Sequence, residues 1–314
     1  MHTGRPPGAA VVREPPCGIV WFRKGVRYGM WQRKLGLGLS DSFRLSVPEQ
    51  LQAFARVGFD AFFSDDSDPE QRALPAEELA RRGRECGLMY QSIHAPFGKA
   101  AELWHEDTAA GDAAVQELLG SLERCRRAEV PLLVLHAFIG FDEHTPNERG
   151  IERFGRVVQA AQGTGVRLAV ENTEGEEYLF ALLDAFRGDD TVGFCWDSGH
   201  EMCYNHSRDL LARYGDRLLA THINDNLGIR DFAGKTTWID DLHLLPFDGI
   251  ADWDYNAARL RRCGCPEVLT FELTTRSKPN RRENDGYARM EPEDYLTEAY
   301  KRACRVAAKI HKAI

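Results

Sequence analysis

The chain has eight cysteines but no Cys-x-x-Cys pair. That spacing is the usual mark of a zinc ribbon or a dithiol redox centre, so neither is expected. Cys263 and Cys265, one residue apart in RRCGCPE, read like the rest as free thiols of a reducing cytoplasm. No apolar run reaches the ~18 residues of a membrane span, so no membrane association is expected. Neither a P-loop nor a dinucleotide-binding glycine turn is present, which argues against a nucleotide cofactor. Basic residues are outnumbered, and the net charge is −8. A binder of phosphate backbones generally presents a basic face, so nucleic acid is a disfavoured partner. Residues 1–16, MHTGRPPGAAVVREPP, lack the apolar core of a signal peptide and read as a disordered or loosely held tail.

What is present is a regular alternation. Across 314 residues, short apolar runs alternate with stretches of helical spacing. The runs are KLGLGLS, DAFFS, YQSIHA, PLLVLHAF, RLAVEN, TVGFCWD, LLATHIN and EVLTFEL. Between them lie amphipathic segments such as SVPEQLQAFARVGF, with a Ser cap and an early Pro, and AAVQELLGSLERCRRAE. A helix is expected over SRDLLARYGDR after the sixth strand, and a long loop over 225–250 after the seventh. Strict alternation implies a parallel sheet, and eight units favour closure into a single (β/α)8 barrel spanning residues 17–314. Residues 17–33, aromatic and basic, fit no repeat and would cap either the barrel bottom or the pocket mouth.

Six of the runs end in a ligand-type residue: His94, His136, Glu171, Asp197, His222 and Glu272. Carboxyl-terminal strand ends converge at the mouth of a parallel barrel, which is where such barrels place their active sites. Taken singly, each residue has an ordinary explanation. A carboxylate at a strand end commonly caps the next helix, and a histidine there is commonly a hydrogen-bonded core residue. Six together are another matter, because several buried carboxylates repel unless a cation offsets them. Glu171, Asp197, His222 and Glu272 end the fifth to eighth strands and suit one divalent metal ion. Their oxygen-rich set ranks Mn²⁺ first, with Mg²⁺, Co²⁺ and Zn²⁺ compatible. Asp197-Ser-Gly-His200 and Asp241-Leu-His243 add further candidate groups.

The segments HAPFG, ENTEGEE, CWDSGH, THINDN, DDLHLLPFDGIADW and FEL resemble those of the xylose-isomerase-like barrel superfamily, over roughly residues 35–310. That superfamily includes sugar-phosphate isomerases and epimerases, ketose 3-epimerases, inosose dehydratases and endonuclease IV-type nucleases. By resemblance to the epimerases, Glu171, Asp197, His222 and Glu272 would hold one metal. His200 would contact substrate, and Glu177 would hydrogen-bond a substrate hydroxyl. By resemblance to the nucleases, His94, His136, Glu171, Asp197, His200, His222, Asp241, His243 and Glu272 match the ligands of a trinuclear zinc cluster. The DxHLLPxDGxxDW form looks more like the sugar-isomerase members.

The resemblance therefore implies a metal-dependent sugar or keto-polyol isomerase or epimerase. Glu171 and Glu272 would transfer protons through a metal-stabilised enediolate, with His200 assisting. A lyase or dehydratase on a sugar-derived carbonyl compound, and a multinuclear zinc phosphodiesterase, are the alternatives. Basic loop residues (Arg23, Lys24, Arg27, Arg33, Lys34, Arg276, Lys278, Arg281, Arg282) read as charged surface. Trp196 is divided between pocket wall and core. A homo-oligomer or a second subunit stays open.

Overall fold

A computed structural model describes residues 33–231 and 236–311. The tail and the aromatic, basic stretch through residue 32 lie outside them. Within the described residues, eight strands are laid down in chain order. They are β1 (Lys34–Gly38), β2 (Ala61–Asp65), β3 (Met89–His94), β4 (Leu132–His136), β5 (Arg167–Glu171), β6 (Val192–Asp197), β7 (Leu218–His222) and β8 (Val268–Phe271). All named pairings are parallel, in the order β7-β6-β5-β4-β3-β2-β1-β8. The sheet nearly closes between β7 and β8 through a single bridge, Ile223 with Phe271. There Ile223 N–H donates to the Thr270 carbonyl at 2.9 Å, and the Thr221 and Thr270 hydroxyls bond the opposing main chain. The expected single (β/α)8 barrel is the observed architecture.

The helices are α1 (Val47–Val57), α2 (Pro69–Ala73), α3 (Ala76–Glu85), α4 (Thr108–Ala128), α5 (Glu148–Ala161) and α6 (Glu176–Ala185). They continue with α7 (Ser198–Cys203), α8 (Leu210–Tyr214), α9 (Trp253–Arg262), α10 (Asp285–Ala288) and α11 (Pro292–His311). Local chemistry sets their starts. Ser46 and Glu49 form a capping box on α1, while Asp107, Asn147 and Asp252 accept main-chain N–H bonds at the starts of α4, α5 and α9. The helix expected over SRDLLARYGDR is shorter, α8 followed by a 3-10 turn at Gly215–Arg217. The segment after Asp197 is the helix α7. Its six residues show too little apolar periodicity to announce it.

Alternate residues along the strands divide into two apolar groups. Leu133, Leu135, Leu168, Val170, Phe194 and Trp196 pack with the helices. Leu132, Val134, Ala169, Cys195 and Ala220 form a separate buried cluster inside the barrel. Two positions beyond these interior residues come His136, Glu171, Asp197 and His222. The pleat that turns Val134 and Ala169 inward therefore turns the ligand-type residues inward one layer higher. Trp196, on the other face, is fully buried core and not pocket wall.

Candidate metal centre

Glu171, at the end of β5, is 1% exposed and organises the site. Its Oε2 lies 3.1 Å from His94 Nε2 and 3.4 Å from His136 Nε2, and its Oε1 lies 3.0 Å from His222 Nδ1. His222 Nδ1 is also 3.0 Å from Glu272 Oε2. Strand register explains the meeting, because His136 is level with Glu171 and Asp197 is level with His222. Asp197 serves twice. Its Oδ1 accepts the His200 N–H at 2.6 Å as the cap of α7, and its Oδ2 accepts Asn224 Nδ2 at 2.9 Å. The helix-cap explanation and the cluster explanation are thus both true of this residue.

Among the described residues, four groups bring their ligand atoms within 4.8 Å of one another; one joins Cys195 to Glu171 and His222, and the other three are His94 with His136 and Glu171, Glu171 with Asp197, His222 and Glu272, and His200 with Asp241 and His243. All nine residues named from the sequence are brought together in these three groups, which adjoin through Glu171 and His200. His200 Nδ1 is 3.5 Å from Glu171 Oε1 while its Nε2 is 3.6 Å from Asp241 Oδ1. Glu177 is not among them. It is half exposed beside His144, 3.5 Å away, in a separate recess of about 250 Å³ with Glu174 and Tyr204.

The histidine environments test whether a cation fits. His94 Nδ1 faces the Ala95 carbonyl at 2.8 Å, His200 Nδ1 faces that of Asn172 at 3.0 Å, and His243 Nδ1 faces that of Glu272 at 3.2 Å. A carbonyl only accepts, so each of these nitrogens carries the proton. The other ring nitrogen of each then points at a carboxylate. In a neutral imidazole that is a lone pair facing negative charge, which is favourable only with a cation between them or a second proton on the ring. Metal-binding histidines are commonly held in this way, with the distal N–H on a carbonyl. Around Glu171, which His94 faces, the residues present fit a divalent cation, while the two imidazoles facing Asp241 call for a positive charge there without fixing its kind.

The same conflict appears in the titration behaviour. Burial pushes Asp197 up to about 7, partly opposed by His200. Burial also raises Glu272, but His222 and His243 outweigh it and hold it at about 2. Burial lowers His243, yet Asp241 outweighs it and lifts the ring to about 9. His136, where burial prevails over Glu171, is shifted down.

Glu272 and His243 face a cavity of about 600 Å³ whose other walls include Phe63, Asp65, Trp238, Thr274 and Lys278. Asp65 ends β2 with an oxygen 3.8 Å from His94 Nδ1. It was not among the residues named from the sequence, although DAFFSD ends in a ligand-type residue as six other runs do; the following Asp66 and Asp68 obscured which acid sits at the strand end. Phe97 stacks on His136 at 4.7 Å. Arg281, expected at the surface, is buried against Asp240 at 2.8 Å.

Fold and geometry together define a (β/α)8 barrel with a histidine–carboxylate centre at its carboxyl-terminal mouth. The chain belongs to the xylose isomerase-like TIM barrel family, whose model matches residues 51–302. It is 32% identical over 260 residues, 72% of this chain and 80% of the relative, to the uncharacterized protein y4fM of Sinorhizobium fredii. It is 30% identical over 157 residues, 42% of this chain and 54% of the relative, to a probable endonuclease 4 of Cenarchaeum symbiosum. The IolI protein with a bound zinc atom superposes with a TM-score of 0.70 at 19% identity, over 89% of this chain and 100% of that one. The D-psicose 3-epimerase of Clostridium cellulolyticum with D-tagatose superposes with a TM-score of 0.67 at 15% identity, over 87% and 99%. At these identities the structural likeness shows the fold alone. Among the described residues, no helix is long and apolar enough to cross a membrane.

Proposed function

We propose that the protein is a divalent-metal-dependent isomerase or epimerase of a sugar or polyol-derived carbonyl compound. The observation that carries this reading is the row Glu171–His222–Glu272. Two carboxylates each lie 3.0 Å from one ring nitrogen, and Glu272 opens on a cavity of small-molecule size. Glu171, Asp197, His222 and Glu272 would hold the cation. Their oxygen-rich set favours Mn²⁺, and Zn²⁺ is compatible with it. When bound there, the cation supplies Lewis-acid polarisation of a substrate carbonyl oxygen.

The chain's own groups do the rest. Glu272, whose side chain is 32% exposed, takes a proton from the carbon beside the carbonyl. Glu171 returns one from the other end of the row. His200, fixed by Asn172 and by the start of α7, orients a substrate hydroxyl. Trp238, 48% exposed on the cavity wall, offers a face for the apolar side of a sugar ring. Cys86, Cys125, Cys195, Cys203, Cys263 and Cys265 are free, which supports a reducing compartment, the cytoplasm.

The test is solvent-deuterium incorporation across a panel of ketoses and keto-polyols. Glu171→Gln and Glu272→Gln are expected to lower the exchange rate by about 100-fold or more. If both variants folded and exchanged at near-normal rates, the proton-transfer role would be wrong.

A second reading, phosphodiester hydrolysis, is favoured by one observation: His94/His136/Glu171 and His200/Asp241/His243 flank the central group as further ligand sets. It predicts chelator-sensitive cleavage of an abasic-site duplex and more than one metal ion per chain.

A further inference from the structure

The group of His200, Asp241 and His243 has the composition of a metal site, yet it already holds a cation. Lys278, from the loop after β8, places Nζ 3.2 Å from Asp241 Oδ2. We propose that Lys278 is the resident cation of this group. Its ammonium takes the place of a metal ion on Asp241, so divalent ions bind only at the other groups. The remaining ammonium donors are turned to a substrate oxygen in the cavity. The inference rests on the reading that the Glu171/Asp197/His222/Glu272 group holds a divalent ion.

Charge separates the two groups. The central group offers three carboxylates to one imidazole. The Asp241 group offers one carboxylate, and Lys278 neutralises it, leaving no net negative charge to draw a divalent ion. Asp241 is 6% exposed, so water screens that pairing little.

Lys278 is also held in place from both sides. Ahead of it, Arg276 pairs with Asp41 at 2.9 Å. Ser277 Oγ donates to Asp285 at 2.8 Å and accepts the Asn284 N–H at 3.1 Å. Beyond it, Asn284 Nδ2 donates to the Leu242 carbonyl at 3.0 Å, and Arg281 is paired with Asp240. Leu242 and Asp240 flank Asp241, so the loop bearing the lysine is tied to the loop bearing its partner. Trp238 adds a ring face 5.4 Å from Nζ. A lysine on a free loop would be a mobile surface charge; this one has its carboxylate set at a fixed distance. Its side chain is 22% exposed and lines the cavity beside Glu272 and His243, which leaves ammonium donors directed at bound substrate.

The experiment counts metal ions. Chelator-stripped wild type, Lys278→Met and Lys278→Arg are titrated with Co²⁺. Bound metal is read by elemental analysis after gel filtration and by visible absorption. Lys278→Met is expected to bind one more ion per chain than wild type, with added imidazole-ligand absorption. Lys278→Arg, which keeps a cation, is expected to match wild type. Lys278→Gln serves in the same role if the Met variant does not fold. Equal stoichiometry in wild type and the neutral variants overturns the inference while leaving the metal-dependent reading intact. A wild type that binds no divalent ion overturns both.

Discussion

Phe63 lies flat against His222, with ring centroids 4.6 Å apart and planes 12° apart. The ring comes from β2, and it has room because Gly38 on neighbouring β1 carries no side chain; a Cβ there would collide with it. Three strands therefore set the plane of the imidazole whose Nδ1 faces Glu171 and Glu272. Phe63→Ala is expected to cost about 3–5 kcal/mol of stability through the cavity it leaves. It should also weaken divalent-metal affinity about 10-fold, as loss of a neighbour that orients a ligand typically does. Urea unfolding and titration against a competing chelator measure the two effects. An unchanged affinity would mean that the carboxylates alone orient His222.

Arg259, 3% exposed, reaches from α9 to grip α7. It donates to Glu201 Oε1 and Oε2 at 2.7 and 2.8 Å and to Asp209 at 2.7 Å, and Trp196 Nε1 donates to Glu201 at 3.0 Å. Glu201 follows His200 directly, so this network fixes the helix that aims His200 at Asp241. Arg259→Met leaves Glu201 buried without its cation and is expected to cost about 3–5 kcal/mol. Denaturant unfolding followed by Trp fluorescence would show the loss. A cost below about 1 kcal/mol would mean that water replaces the guanidinium.

The barrel was legible because each strand is a short apolar run and the pleat repeats every two residues. A polar residue closing such a run, as in LLVLH or RLAVE, is therefore already assigned to the mouth. Glu171, Asp197 and His222 could be named on that basis before any contact was known. Long-range loop contacts could not. Lys278 and Arg281 sit in a polar stretch whose spacing carries no period, and only their partners, Asp241 and Asp240, more than 35 residues earlier, distinguish them from surface charge. Glu177 was named only through the resemblance to the epimerases, and the start of α6 places it in the neighbouring recess beside His144.

Asp225 organises the long loop that carries Asp241 and His243. It is fully buried and accepts N–H groups from Asn226 at 2.9 Å, Phe247 at 2.8 Å, Ala251 at 3.1 Å and Trp253 Nε1 at 2.9 Å. Gly249 passes so close to this carboxylate that a Cβ would strike it. Asp225→Ala strands several buried donors, each worth about 1–3 kcal/mol. The expected outcome is a destabilised protein whose loop becomes protease-sensitive. Gly249→Val should reproduce the effect by pushing the carboxylate aside. Limited proteolysis with mass mapping reads it, and cleavage confined to other loops would refute the assignment.

The ionisation of the centre gives metal-free and metal-bound protein different pH behaviour. Burial lifts Asp197 from its usual 3.8 to about 7, and Asp241 lifts His243 from 6.5 to about 9 against the downward pull of its burial. Both groups hold protons in the folded state that they release in the unfolded one. The metal-free protein should therefore lose stability as pH rises, through Asp197 between about 4 and 7 and through His243 between about 6.5 and 9. Glu272 acts in the opposite sense. Burial would raise it, but His222 and His243 bring it to about 2, so its contribution is complete above about pH 4.5 and fades only toward pH 2. A divalent ion needs Asp197 ionised and its imidazole ligand neutral, so binding expels protons and affinity should climb across this pH range. The expected results are a lower melting temperature at pH 9 than at pH 6.5 for chelated protein, and a smaller difference once metal is bound. Calorimetric titrations in buffers of different ionisation heat should show protons released per ion bound. A metal affinity flat from pH 6 to 9, with no proton release, would remove Asp197 and His222 from the ligand set.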